Sequence, residues 1–423
     1  MAQQPNVIVF MTDDQGYGDL SCMGATDFKT PNFDRMASEG ARFTDWYANS
    51  AVCSPSRASL LTGKYPPKAG VRAVLAGHRT ASGCPGSLPS IPSVLAQKGY
   101  RSYLSGKWHL GLSEECRPHS HGFDHWYGFL AGCVDYYSHI FYWGLPKVNP
   151  THDLWEDNEE IWENGKYFTE AVTEKAIDYI RDAANADRPF FLFVSYNAPH
   201  YPMHAPQKYM DRFKELPWDR QVMAAMLSAV DDGVGEILDE VERRGLRENT
   251  LSFFMSDNGP SRESRNWLDG SFDHYYGGSQ GKLKGHKFSL FEGGIREPAI
   301  MHWPGTIPAG QVLTAPCAGT DILPTIAEAA GADISDEEID GCSLLDYVKT
   351  GDPGNLTERT LFWELENQTA VRSGPWKLVL NGRLVEHEEP VAETHLANLD
   401  EDMSESENLA DKYPERTAEM KRQ

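Results

Sequence analysis

The sequence predicts an α/β fold: a large mixed, mostly parallel sheet sandwiched between helices, followed by a small C-terminal antiparallel subdomain. Three observations carry this reading. Short apolar, β-branched runs alternate with longer helical stretches, and several of those runs end in residues able to hold a metal or an anion. From about Gly341 the spacing shortens to hairpin length. Alternation of this kind marks strand–helix–strand crossovers, which bury a parallel sheet on both faces.

Residues 6–11, Asn-Val-Ile-Val-Phe-Met, make the first predicted strand, being apolar and free of turn formers. A helix follows over residues 31–38, with Thr30 as its N-cap and Gly40 as its stop. Pro55 presets φ and lacks the N–H that a first helical turn leaves idle, so residues 56–61 read as a helix whose opening N–H groups face Cys53. Arg57 projects from the same turn. Residues 91–98 read as a helix stopped by Gly99, and 100–105 as the next strand. The alternation repeats with a helix over 168–184, a buried strand over 190–196, a long helix over 219–244 and a buried strand over 251–256. Beyond Gly341, residues 369–380 and 394–399 read as hairpin strands around Asn381-Gly382, with an acidic tail helix after Tyr413. The chain therefore divides into a large α/β domain, residues 1–340, and a small α+β subdomain, residues 341–423.

With 423 residues, 40% of them hydrophobic, the chain can bury a large core. Its net charge of −23 repels nucleic acid and anionic lipid at long range, and no apolar run approaches bilayer-spanning length. Neither nucleic acid nor membrane is an expected partner. An anionic substrate would have to be drawn in by a local cluster of cations. The seven cysteines contain no Cys-X-X-Cys pair, which speaks against a zinc knuckle. No basic segment followed by an apolar one opens the chain, so the cytoplasm is expected, or the periplasm or exterior if an export signal has been removed. The sequence does not set an oligomeric state.

Ligands of open parallel sheets bind beyond the carboxyl ends of the strands. Asp13-Asp14, Lys107 with His109, His200, and Asp257-Asn258 all follow predicted strands. Asp13, Asp14, Asp257 and Asn258 form a hard oxygen set suited to Ca²⁺, with Mg²⁺ as the alternative. Three carboxylates around one point repel unless a divalent ion lies among them, and that ion would withdraw charge from a bound anion.

Cys53-Ser54-Pro55-Ser56-Arg57, followed by Leu60-Leu61-Thr62-Gly63, resembles the core of the type I sulfatases. Further segments match in the family's order: Thr12-Asp13-Asp14-Gln15-Gly16, Thr30-Pro31-Asn32-Phe33-Asp34, Gly106-Lys107-Trp108-His109-Leu110-Gly111, Asn197-Ala198-Pro199-His200, Ser256-Asp257-Asn258-Gly259, and Lys284-Gly285-His286-Lys287 leading to Glu292-Gly293-Gly294-Ile295-Arg296-Glu297-Pro298. The likeness runs from residue 6 to about 305, then more weakly through residues 370–378 to Asn408-Leu409.

The resemblance implies an alkaline-phosphatase-like fold, hydrolysis of a sulfate monoester, and oxidation of Cys53 to Cα-formylglycine by a formylglycine-generating enzyme. It implies that residue 53 acts as a gem-diol and joins Asp13, Asp14, Asp257 and Asn258 around the metal. One hydroxyl would attack sulfur, and deprotonation of the other, assisted by His109, would expel sulfate and restore the aldehyde. Arg57 and Lys107 would polarise the diol. His200 with Lys287 would protonate or stabilise the leaving oxygen, the proton donor between them being left open.

Loops over residues 73–86, 132–143 and 260–281 are rich in His, Arg, Tyr and Trp, which stack on sugar rings and pair with anions. They supply the candidate substrate contacts His78, Arg79, Tyr136, Tyr137, His139, Arg262 and Arg265. A sulfated carbohydrate is the leading substrate, with a small aryl sulfate as surrogate. Two alternatives stand beside it: a phosphonate or phosphate ester hydrolase of the same superfamily, and a non-catalytic sulfated-glycan binding protein. Intact residues at every reactive position speak against the latter.

Overall fold

The computed structural model describes residues 4–141, 150–186, 188–262 and 275–423. Its central sheet is 10-stranded, in the order Gln311–Leu313, Ala41–Phe43, Ala299–His302, Thr250–Ser256, Asn6–Thr12, Phe190–Ser195, Arg101–Lys107, His125–Phe129, Trp155–Glu156, Glu159–Glu160. From Thr250–Ser256 to His125–Phe129 every pairing is parallel, whereas Ala299–His302 and Trp155–Glu156 join antiparallel on either side. The sheet is thus mixed but parallel at its centre, as expected.

Asn6–Thr12 and Thr250–Ser256 are buried at every position, which is why they read as unbroken apolar runs rather than alternating ones. Helices cover the sheet in two groups. Phe168–Ala186 packs on Trp218–Arg243, which packs in turn on Pro31–Glu39, while Cys53–Thr62 and Ile91–Ala96 pack on Ile322–Ala330. Among the described residues, no helix is long and apolar enough to cross a membrane.

The helix Cys53–Thr62 starts three residues before the expected position. Val52 is its extended N-cap, so Cys53 itself opens the first turn and Pro55 stands third, where its missing N–H still costs no hydrogen bond. Gly63, at φ 68°, ends the helix in the left-handed region.

The C-terminal sheet has four antiparallel strands, Thr360–Leu365, Gln368–Ser373, Trp376–Gly382 and Ala392–Asn398, with the helix Pro414–Met420 packed on it. One expectation is corrected here. Residues 369–380 do not form a single strand turning at Asn381-Gly382, because the chain reverses earlier at Gly374-Pro375, with Ser373 paired to Trp376. Gly374 takes φ 57° and the proline fixes the next residue, a combination that closes a two-residue hairpin.

A buried ionic cluster ties this sheet to the main body. Lys377 Nζ lies 2.7 Å from Glu292 Oε1 and 3.2 Å from Glu405 Oε1, all three side chains being 0% exposed. Arg296 bridges Glu292 and Asp45, at 3.1 and 2.7 Å, and Arg372 reaches Asp45 at 2.7 Å. Removing one member of such a cluster strands its partners without solvent. Lys377→Met is therefore expected to lower stability by about 3–5 kcal/mol, measured by chemical denaturation; a loss under about 1 kcal/mol would contradict this role.

Candidate active site

Adjacent parallel strands deliver the reactive residues to one edge of the sheet. Asp13 and Asp14 leave the end of Asn6–Thr12, and Asp257 and Asn258 leave the neighbouring Thr250–Ser256. Asp257 N–H donates to the Thr12 carbonyl at 3.1 Å, and Asp14 N–H donates to Asp257 Oδ1 at 3.2 Å, so the two turns hold each other. Asp14 sits at φ 61°, a conformation that aspartate tolerates better than most side chains. Lys107 closes Arg101–Lys107, and His200 follows Phe190–Ser195.

Three carboxylates meet three cations here, each with its own partner. Lys107 Nζ donates to Asp13 Oδ2 at 2.5 Å. Lys287 Nζ donates to Asp14 Oδ2 at 2.9 Å. Arg57 donates to Asp257 Oδ2 from Nε at 2.8 Å, while its Nη1 reaches Ser195 Oγ at 2.6 Å. Arg57 is 1% exposed and Lys107 0%, in a setting where unpaired charges could not persist. The repulsion expected among the aspartates is thus already offset by side chains, and a divalent ion would leave the site with a net charge of about +2. That local charge faces an incoming anion despite the chain's overall −23.

His200 joins the cluster from the loop after its strand. Its Nδ1 donates to the Tyr201 carbonyl at 2.7 Å, leaving Nε2 at 3.3 Å from Lys287 Nζ and 3.6 Å from Asp14 Oδ2. Tyr136 O–H donates to the His200 carbonyl at 3.0 Å. Ligating atoms of Asp13, Asp14, Cys53 and His200 all lie within 4.8 Å of one another. Asp13 Oδ1 and Asn258 Oδ1 are buried oxygens without a hydrogen-bond partner, while Asn258 Nδ2 donates to Asp14 Oδ1 at 2.7 Å. Orphaned buried oxygens beside carboxylates are what a hard divalent cation would satisfy, so the residues fit such an ion.

Electrostatics differentiates the groups. Burial works to raise Asp14, but Lys287 and His200 outweigh it and hold its carboxyl below the ordinary range. Asp257 is pushed up to about 6 by burial and by Asp13. Burial disfavours charge on Lys107, yet Asp13 holds its ammonium above the usual value. Cys53, 1% exposed, has its thiol raised well above the ordinary range by burial, so as a plain cysteine it is protonated and inert. His109 is lowered well below the ordinary range by burial and by Lys107 and Arg57, which makes it a neutral imidazole at neutral pH.

The surrounding candidates separate. His78 is exposed, and Tyr137 lies half-buried against Tyr167 and His204. Arg79 pairs with Glu160 through contacts of 2.9 and 3.0 Å and lies over the Trp155 ring. His139 is 0% exposed and bonds to the Lys166 carbonyl, and Tyr136 is equally buried, so neither side chain is open to solvent. Arg262 lies over the Tyr276 ring, and Arg265 falls outside the described residues. Sequence reasoning missed Ser195, the Arg57 partner; its place at a strand end beside Lys107 was the available signal.

The description of the family model that matches residues 5–332 is "Sulfatase". The chain is 34% identical over 383 residues to the N-acetylgalactosamine-6-sulfatase of Canis lupus familiaris, covering 85% of this chain and 68% of that one. It is 32% identical over 409 residues to arylsulfatase A of Homo sapiens, covering 89% and 75%. Among solved structures it is similar to Ps i-CgsB in complex with k-i-k-neocarrahexaose, with a TM-score of 0.87 and 30% identity over 99% of this chain and 92% of that chain. Together with a mixed, centrally parallel sheet of the alkaline-phosphatase type, these likenesses establish that the chain belongs to the sulfatase family, the hydrolases of sulfuric esters.

Proposed function

We propose that this protein hydrolyses sulfate monoesters of a sulfated carbohydrate, with residue 53, matured from cysteine to Cα-formylglycine, as the nucleophilic position. The observation that carries the reading is the buried cluster in which ligating atoms of Asp13, Asp14 and His200 converge on Cys53, with Lys107 and Lys287 paired to the two carboxylates and Arg57 paired to Asp257. The carbohydrate is supported by the similar proteins, one an N-acetylgalactosamine-6-sulfatase and one solved in complex with a neocarrahexaose.

Asp13, Asp14, Asp257, Asn258 and residue 53 would hold a divalent cation, Ca²⁺ in preference to Mg²⁺, which would supply Lewis-acid polarisation of the sulfate oxygens. Hydrated formylglycine would supply one hydroxyl for attack on sulfur and a second whose deprotonation releases sulfate. The chain's own side chains do the rest. Arg57 and Lys107 fix positive charge beside residue 53, where they would polarise the hydroxyl that attacks sulfur. His109 donates Nε2–H to the Leu75 carbonyl at 3.3 Å, which leaves the Nδ1 lone pair to accept a proton. His200 and Lys287, 3.3 Å apart, can pass a proton to the leaving oxygen or stabilise its charge. Since Cys53 is 1% exposed in the folded chain, the maturation enzyme would have to act before folding closes the site. We further propose residues 1–340 as the catalytic domain and 341–423 as a subdomain, supported by the separate core of Val371, Leu378, Leu396, Leu409 and Met420.

Turnover of 4-nitrophenyl sulfate, phosphate and phosphonate by one preparation tests the reaction class. The sulfate ester is expected to turn over fastest. Faster turnover of either phosphorus ester would replace this reading with a phosphohydrolase.

A further inference from the structure

The wall behind His109 is built on a buried carboxylate that has no assigned role. Asp153, 4% exposed, is carried beside residues 130–131 because Trp155 pairs with Gly128 across the sheet edge. Its Oδ2 accepts from Leu130 N–H at 3.1 Å and Ala131 N–H at 2.8 Å, and its Oδ1 accepts from the Trp155 indole N–H at 2.7 Å. Both oxygens are therefore spent on N–H donors. The turn they fix is the one that frames His109: His109 N–H donates to the Leu130 carbonyl at 3.2 Å. A Cβ built on Gly132 would lie 3.0 Å from both Cε1 and Nε2 of the His109 ring. On the opposite side, Leu75 is anchored by its own N–H to Ser54 Oγ at 3.1 Å, while its carbonyl accepts from His109 Nε2 at 3.3 Å. A carbonyl only accepts, so the proton sits on Nε2. Nδ1, buried and without a partner among the described residues, is the nitrogen left as base.

We propose that Asp153 is a positioning residue for the hydrolysis: through the Leu130–Ala131–Gly132 turn it clamps the His109 ring against the Leu75 carbonyl, fixing one tautomer and one ring plane. This rests on His109 acting as the base. Burying a carboxylate on N–H donors alone is costly unless the surroundings demand it, and here what it holds in place is the ring's resting surface. Asp153→Asn keeps the shape but turns an NH₂ group toward N–H donors in either amide orientation. Gly132→Ala leaves Asp153 intact and presses a methyl group on the ring.

Three variants, His109→Gln, Asp153→Asn and Gly132→Ala, are assayed for kcat and KM, and the imidazole nitrogen shifts of His109 are read by NMR in the unconverted protein. The proposal expects Asp153→Asn and Gly132→Ala each to lower kcat roughly 10- to 100-fold, as small displacements of a reacting group do. KM should stay within about two-fold. The His109 signal should lose its pure Nε2–H signature in both. If His109→Gln is inactive while both other variants keep kcat and an unchanged signature, the positioning role is overturned and the reading of His109 survives. If His109→Gln retains kcat, the assignment of the base fails and takes this inference with it. Gly132→Ala removes no hydrogen bond, so it remains decisive should Asp153→Asn fold poorly.

Discussion

Cys53→Ala is expected to abolish sulfate ester hydrolysis, lowering kcat by at least about 10⁴-fold, the scale on which removal of a covalent nucleophile acts. The fold should survive, because an alanine at the first helical position removes only a sulfur from a site otherwise tied by Arg57, Lys107 and Lys287. Circular dichroism and a thermal melt would check that point. Cys53→Ser should differ in an informative way: a serine ester formed on the first turnover has no second hydroxyl to expel sulfate, so a stoichiometric burst without steady turnover is expected. Residual activity of Cys53→Ala above about 1% of wild type would remove residue 53 from the mechanism.

Removal of the divalent ion is the second large effect. A chelator should lower activity by about 10²-fold or more, since Lewis-acid polarisation is worth several kcal/mol of barrier. Added Ca²⁺ should restore it more fully than Mg²⁺. The expected effect on stability is much smaller, because Asp13, Asp14 and Asp257 each retain a cation partner when the ion leaves. A thermal shift of only a few degrees is expected, as for loss of a ligand present well above its dissociation constant. Unfolding on chelation would show that the side-chain pairs do not carry the balance assigned to them. Unchanged activity would show that no metal takes part.

The sequence made much of this site legible, and the reason is physical. Strands buried on both faces, such as Asn6–Thr12 and Thr250–Ser256, must be continuously apolar, so the first polar residues after them mark the sheet edge where ligands bind. Asp13, Asp14, Asp257 and Asn258 announced themselves that way. The outer strands did not, because Ala41–Phe43 and Trp155–Glu156 are too short to display any period. The Gly374-Pro375 reversal lay inside a run of strand formers and was masked by the stronger Asn381-Gly382 signal downstream. The Arg79–Glu160 pair was hidden as well, because its two members stand 81 positions apart. Asp153 left no trace either, since its partners are two backbone N–H groups and one indole, which no pattern of residue types records.

The measurement that bears most directly on this account is mass spectrometry of the peptide spanning residues 42–57, made on preparations whose specific activity toward 4-nitrophenyl sulfate is known. Activity should rise in proportion to the fraction of residue 53 carried as the aldehyde and vanish where only the thiol is found. Full activity from a preparation in which Cys53 is wholly unmodified would contradict it.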